Sequence, residues 1–193
     1  MPVILVGGTP GTGKSEAARM LGERLGVRVL SLGDLARNAG CISAYDGDRD
    51  TSIVDEDCLV SAILQEIEDL DRRIVAEGHY IDLVPYSSVA RVFVLRTHPE
   101  VLKHRLIQRG WPKAKIEENV EAEVIGVCQL DAYEAYGEDM VTEIDTTEIK
   151  QSEVVDMMQR AIRGNAKTSA IDWMTLLEEE GRLGEFLSDG TKS

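Results

Sequence analysis

The sequence predicts an α/β domain in three layers, a five-stranded parallel sheet covered by helices on both faces. Three observations predict it. First, the wholly apolar run Val3-Ile4-Leu5-Val6 leads into Gly8-Thr9-Pro10-Gly11-Thr12-Gly13-Lys14-Ser15. Ala17, Ala18, Leu21 and Leu25 then recur at helical spacing, so the order is strand, glycine-rich loop, helix. Second, four further short apolar runs follow, and amphipathic helical patterns alternate with them. These runs are continuously apolar, as strands covered on both faces must be. Third, 193 residues with 43% hydrophobic content suffice for one domain with a sizeable core. Right-handed crossovers then give a doubly wound sheet.

After the first helix, Val27 to Leu30 reads as the second strand. Ser31 or Gly33 caps a helix with Asp34 in its first turn and Leu35-Ala36-Arg37 following. Asn38 to Ser52 is polar and weakly patterned, and reads as a loop with little regular structure. Asp55-Glu56-Asp57 opens a helix striped by Leu59, Ile63 and Ile67, its acids suiting the positive end. Arg73-Ile74-Val75-Ala76 is the third strand, ending at Glu77-Gly78-His79. Tyr80 to Val89 connects it to the fourth, Arg91 to Leu95. Pro99-Glu100 starts a helix that Gly110-Trp111-Pro112 ends. One helix is expected from about Lys115 to Tyr136, with Ile116, Val120, Val124 and Val127 inside. Met140 to Ile144 is the fifth strand, and Ser152 to Ile162 the last helix of the body. Gly164 to Ser169 reads as a linker. Ile171, Trp173, Met174, Leu176, Leu177, Leu183, Phe186 and Leu187 mark an amphipathic tail, which either packs on the body or receives a partner.

No apolar run approaches the ~20 residues that span a bilayer, so no membrane association is expected. The first residues lack a basic region and read as a strand, not a signal peptide. Cys41, Cys58 and Cys128 are isolated and odd in number. They suggest neither a disulfide framework nor a zinc site and fit a reducing cytoplasm. The net charge of −14 repels bare nucleic acid. It suits either simple solubility or a basic partner.

The loop carries the clearest chemistry. Backbone N–H groups converging on phosphate oxygens need the freedom and close approach of Gly8, Gly11 and Gly13. The helix starting near Lys14 adds its positive end. Lys14 supplies a charge for β- and γ-phosphates and Ser15 a hydroxyl for Mg²⁺. Ligands in such sheets bind beyond the carboxyl ends of the strands, where three further stretches lie. Arg37 can clamp an acceptor phosphate, or be a solvated helix residue. Glu77 can hold Mg²⁺ or its water shell. His79 can orient water or an acceptor hydroxyl, or simply occupy a strand-end turn. Arg105 and Arg109, four apart on one helix, can stabilise a transferring phosphoryl group as the next segment closes. Trp111 can cover a base or anchor that segment. His98 reads as a cap and His104 as a surface residue. Glu117, Glu118, Glu121 and Glu123 read most simply as a solvated helix face.

The chain resembles the adenylate-kinase-like nuclear ATPases of eukaryotes, the coilin-interacting ATPase type, and their archaeal counterparts. The matching residues are Gly8 to Ser15, Gly33-Asp34-Leu35-Ala36-Arg37, Asp55-Glu56-Asp57, His79 with Asp82 and Pro85, Val92 to Thr97, and Arg105-Leu106 with Arg109-Gly110. The resemblance covers about residues 3 to 163. It implies a P-loop fold of the nucleoside-monophosphate-kinase type over 1–164, with 31–54 holding AMP and 108–118 as a short lid; the amphipathic tail at 165–193 is read from its own pattern and has no counterpart in the family. It implies interconversion of ATP plus AMP with two ADP, ATP hydrolysis, and a role in small-ribosomal-subunit maturation that involves a basic ribosomal protein. By the same resemblance Gly11, Gly13, Lys14, Ser15, Glu16 and Arg109 bind ATP, Asp34 and Arg37 belong with AMP, and Mg²⁺ accompanies ATP near Ser15 and Glu77. The chain departs from the family in Glu77, where aspartate is expected, and in Ser15 and Glu16, where threonines are. Glu16 should contribute only its backbone N–H. An ATP-switched assembly factor with incidental kinase activity, or a small-metabolite kinase, remain the alternatives.

Overall fold

The computed structural model describes residues 2–46, 51–68, 73–164 and 170–187. The expected parallel sheet is present. Its strands are β1 (Val3–Gly8), β2 (Val29–Ser31), β5 (Ile74–Glu77), β6 (Val89–Arg96) and β7 (Val141–Asp145). They lie in the order β2-β5-β1-β6-β7, all neighbours parallel. The chain therefore leaves the central β1 where strand order reverses, the place where such sheets open a crevice at their carboxyl edge.

Two apolar layers sandwich the sheet. One lies between α1 (Lys14–Leu25) and α7 (Gln151–Ile162), and joins Ile4, Val6, Leu21, Phe93, Val155 and Met158. The opposite layer joins Val3, Leu5, Leu32, Leu59, Ile63, Val92, Val94 and Tyr136. It is closed by α2 (Leu32–Asn38), α3 (Glu56–Glu68) and α6 (Val127–Tyr136). Ser31 caps α2 by accepting from the Asp34 N–H, and Asp55 caps α3 by accepting from Cys58.

Four expectations are corrected. The stretch from Asn38 to Ser52 is not structureless: β3 (Ile42–Asp46) pairs antiparallel with β4 (Thr51–Val54), while residues 47–50 lie outside the described structure. Cys41 and Cys58 form a disulfide, leaving Cys128 the free thiol. The pairing is tertiary, since α2 and α3 pack together and bring two cysteines 17 apart to a Cα separation of 5.4 Å. The single long helix is two, α5 (Lys113–Ile125) and α6, broken at Gly126 with φ 80°. A Cβ at Gly126 would meet Gln129 Oε1 at 2.8 Å. Val127, expected inside, is consequently exposed. Finally, Glu123 is buried at 1% exposure.

The linker expected at 164–169 falls largely outside the described residues. Beyond it, α8 (Trp173–Glu179) packs on α5. Leu177 and Phe186 join Leu102 and Leu106 of α4 (Pro99–Gln108) and Ile116, Val120 and Val124 of α5 in a third apolar cluster, with Trp111 against it. Burying this face satisfies the tail's apolar stripe at roughly 25 cal/mol per Å².

Candidate active site

The loop between β1 and α1 reverses sharply because of its glycines. Gly8 has φ 138°, and a Cβ there would lie 2.5 Å from the Leu95 carbonyl oxygen. Gly13 has φ 93° and is the residue before α1, so the helix N-terminus opens onto the loop. Within the loop, Thr12 donates both its N–H (3.3 Å) and its hydroxyl (2.8 Å) to the Thr9 carbonyl. The Thr146 hydroxyl donates to the Thr12 carbonyl at 3.0 Å.

A cavity of about 500 Å³ lies over this loop, lined by Pro10, Gly11, Gly13, Lys14, Ser15, Glu16, His79, Arg109 and Trp111. A second, of about 210 Å³, is lined by Thr9, Pro10, His79, Lys115, Glu118, Asn119, Ala122, Val127 and Cys128. Pro10 and His79 belong to both walls, so the two cavities adjoin.

Seven expected site residues thus gather at the first cavity: Gly11, Gly13, Lys14, Ser15, Glu16, His79 and Arg109. Glu77, buried at the end of β5, stands behind it and accepts a hydrogen bond from the Ser15 hydroxyl at 2.9 Å. Burial holds the Lys14 ammonium below the ordinary lysine range, with the Glu77 charge pulling the other way. An anion arriving there would be favoured doubly, by an under-compensated cation and by the helix terminus. His79 has an edge open to solvent, yet surrounding protein and the Lys14 charge push its imidazole down to about 4. Glu16 faces outward and is held by Arg19, whose Nε and Nη2 reach its two oxygens at 3.0 and 2.6 Å. Its side chain is therefore engaged away from the loop.

Besides Glu77, three expected residues line neither cavity. Asp34 and Arg37 pair with each other on the exposed face of α2. Arg105 instead braces the loop from behind. It donates to the carbonyls of Gly11 (3.4 Å), Thr146 (2.8 Å) and Thr147 (3.2 Å), and to Thr97 Oγ1 (3.3 Å). Arg109 is the last residue of its helix turn and lies beside Gly110 and Trp111, where the chain changes direction into α5. Trp111 both lines the cavity and packs on the tail cluster, and Lys115 Nζ lies 4.8 Å from its ring centroid.

Residues that sequence reasoning passed over complete the support. Thr9 donates to buried Glu123 at 2.5 Å, and Glu123 also accepts from Arg96 Nε and the Thr97 N–H, each at 2.9 Å. The signal was present: Glu123 falls three residues after Val120 and seven after Ile116, on the apolar stripe. Cys128, beside the second cavity, is raised to about 11 by burial and the Glu123 charge, and so stays a neutral thiol.

Ser15 and Glu77 offer a hydroxyl and a carboxylate, hard oxygen donors suited to Mg²⁺. Among the described residues no cluster of three or more His, Cys, Asp or Glu forms a self-sufficient metal cage. A cation here would take its remaining ligands from water and substrate phosphates, as Mg²⁺ commonly does.

The AAA domain family matches residues 4–126, which contain the loop, β5, β6 and both arginines. The chain belongs to that family. The chain is also similar to archaeal proteins named "Putative adenylate kinase". The one from Methanothermobacter thermautotrophicus is 43% identical over 163 residues, 84% of this chain and 91% of the relative. That from Archaeoglobus fulgidus is 38% identical over 191 residues, 96% and 98% of the two chains. That from Pyrococcus abyssi is 35% identical over 179 residues, 92% and 94% of the two chains. These relatives make the chain a member of an archaeal P-loop kinase family. Among solved structures, shikimate kinase from Acinetobacter baumannii superimposes with a TM-score of 0.63 at 14% identity, covering 87% of this chain and 96% of its own. A sugar kinase from Janibacter gives 0.58 at 14%, covering 86% and 96%. At such identities these neighbours speak for the P-loop kinase fold alone.

Proposed function

We propose that the chain is an adenylate kinase, transferring the γ-phosphoryl group of ATP to AMP to give two ADP. The single observation that carries this reading is the pair of cavities sharing Pro10 and His79, one over the phosphate loop and one beside it. A transferase must hold donor and acceptor against a common point, whereas a simple hydrolase needs one pocket and water. The names of the archaeal relatives support AMP as acceptor.

In this reading the loop N–H groups and Lys14 hold the β- and γ-phosphates. Arg109 approaches the transferring group from the segment 108–118. An AMP phosphate oxygen attacks the γ-phosphorus, and the bond to the β,γ-bridging oxygen breaks. Mg²⁺, held near Ser15 and Glu77, would neutralise charge on the β- and γ-oxygens. Neutral His79 orients the acceptor phosphate without adding charge. Asp34 and Arg37 sit on the segment 31–54, and to reach AMP their mutual ion pair must open as that segment closes. A coupled assay with ATP and each nucleoside monophosphate tests the proposal; folded protein that forms no ADP from ATP and AMP would sink it.

The net charge of −14 favours a second reading on the same site. Here the chain is an ATP-hydrolysing assembly factor holding a basic protein of the small ribosomal subunit, with transfer to AMP incidental. Affinity for that protein would then change between ATP and ADP. Equal affinity in both nucleotide states, measured by titration, removes this reading.

A further inference from the structure

Arg96, Glu123 and Glu143 form a buried group, each side chain 1% exposed. Two carboxylates face one guanidinium, so charge alone does not balance, and neutral donors must complete the set. Those donors come from three parts of the chain. From the phosphate loop, Thr9 Oγ1 donates to Glu123 Oε2 at 2.5 Å. From the sheet and α6, the Thr97 N–H donates to Glu123 and the Tyr133 hydroxyl to Glu143. From the C-terminal segment, Trp173 Nε1 donates to Glu123 Oε1 at 3.1 Å, and the Ile171 N–H to Glu143 Oε2 at 3.1 Å. Ile171 also accepts from Arg96 Nη1 through its carbonyl at 3.2 Å. Glu123 thus receives four protein donors, three on Oε1 and one on Oε2.

We propose that the C-terminal segment around Trp173 positions the phosphate loop, with Glu123 as the relay, and so sets affinity for the nucleotide. The Trp173 N–H fixes one oxygen of Glu123, and the other oxygen fixes Thr9. The Thr9 carbonyl is in turn the acceptor around which Thr12 folds the loop. Every link is a directional hydrogen bond between buried residues, where one lost donor leaves an acceptor unsatisfied. Apolar packing adds a second connection, because Trp111 of the cavity wall lies on the same cluster as Leu177 and Phe186. Thr9, Glu123 and Trp173 are positioning residues in this scheme, not groups that touch the reacting atoms.

The inference rests on the nucleotide-binding reading of the loop, and a double-mutant cycle on the full chain separates the two. MgATP dissociation constants and unliganded melting temperatures are measured for wild type, T9V, W173F and T9V/W173F. W173F keeps the ring and its edge contact with His98, at 5.4 Å between centroids, while removing the donor. The expected result is about fivefold weaker MgATP binding in each single variant, with no further loss in the double, as coupled sites behave. An unchanged dissociation constant in W173F, whatever its melting temperature, overturns the inference. So do losses that multiply to about twenty-five-fold in the double, the behaviour of independent sites. Wild type that fails to bind MgATP overturns the nucleotide-binding reading itself, and this inference with it. Should W173F fail to fold, the indole ¹⁵N–H resonance of Trp173, assigned with W111F, carries the test. It shifts on MgATP addition in wild type and stays in place in T9V; a resonance unmoved in wild type overturns the proposal.

Discussion

At neutral pH the imidazole of His79 is uncharged, because dense surroundings and the nearby Lys14 ammonium depress its pKa to about 4. In the unfolded chain it titrates near 6.5, so between those values the unfolded state binds more protons. Stability contributed by keeping His79 neutral is therefore present above pH 6.5 and lost as pH falls towards 4. Its solvent-facing edge reduces the size of the effect but leaves the sign. The expected outcome is a melting temperature that falls more steeply in wild type than in His79→Asn as pH drops from 6.5 to 4.5. Parallel curves for the two proteins would refute the assignment. Lys14 obeys the same physics with a different consequence. Lys14→Met removes a cation whose burial is unfavourable in the unliganded protein, so melting temperature should hold or rise. Under the proposed role of Lys14 at the β- and γ-phosphates, phosphoryl transfer should fall by about 10²-fold or more. Glu123 shows the opposite balance. Glu123→Ala leaves the Arg96 guanidinium short of a partner in a closed interior and should cost about 3 kcal/mol in urea unfolding.

Helix α5 ends and α6 begins at one residue, Gly126, in the left-handed region. Gly126→Ala combines a strained φ with a Cβ pressed towards Gln129, and should destabilise by about 1–2 kcal/mol, read from the shift in urea midpoint. A change below a few tenths would mean that the break is not held where the structure has it. The same element shows what sequence could and could not convey. The parallel strands were legible because burial on both faces leaves continuous runs such as Val92-Phe93-Val94-Leu95. The loop was legible because phosphate binding dictates glycine at fixed spacing. The β3-β4 pair was not, since Ile42-Ser43-Ala44-Tyr45-Asp46 is short, mixes polar and apolar residues, and finds its partner only in β4. Glu123 was misread because an acid among Glu117, Glu118 and Glu121 looks solvated unless its phase is compared with the apolar stripe. The break at Gly126 was hidden for a related reason: apolar residues continue at helical spacing across it.

At the scale of the molecule, two of the long-range ties among the described residues stand out for what they join. The first is the Cys41–Cys58 disulfide, which closes a loop with a sequence separation of 17. Removing it with C41S/C58S, or by reduction, should lower unfolding free energy by about 3 kcal/mol, the value of restored loop entropy for a ring of that size. Equal urea midpoints with and without reductant would show that the bond carries no stability. The second tie is the buried network joining residues 171–173 to Thr9. Neither was visible from sequence, because each joins residues that only the finished packing brings together. This second tie also has a meaning in time. Chains are made from the amino end, so the phosphate loop is made before residues 171–173. The Trp173 indole, which donates to Glu123, and the Ile171 N–H, which donates to Glu143, are made long after it. Until residues 171–173 have been added, Glu123 and Glu143 each lack a donor, so the support behind the loop is completed only after the rest of the body has been made.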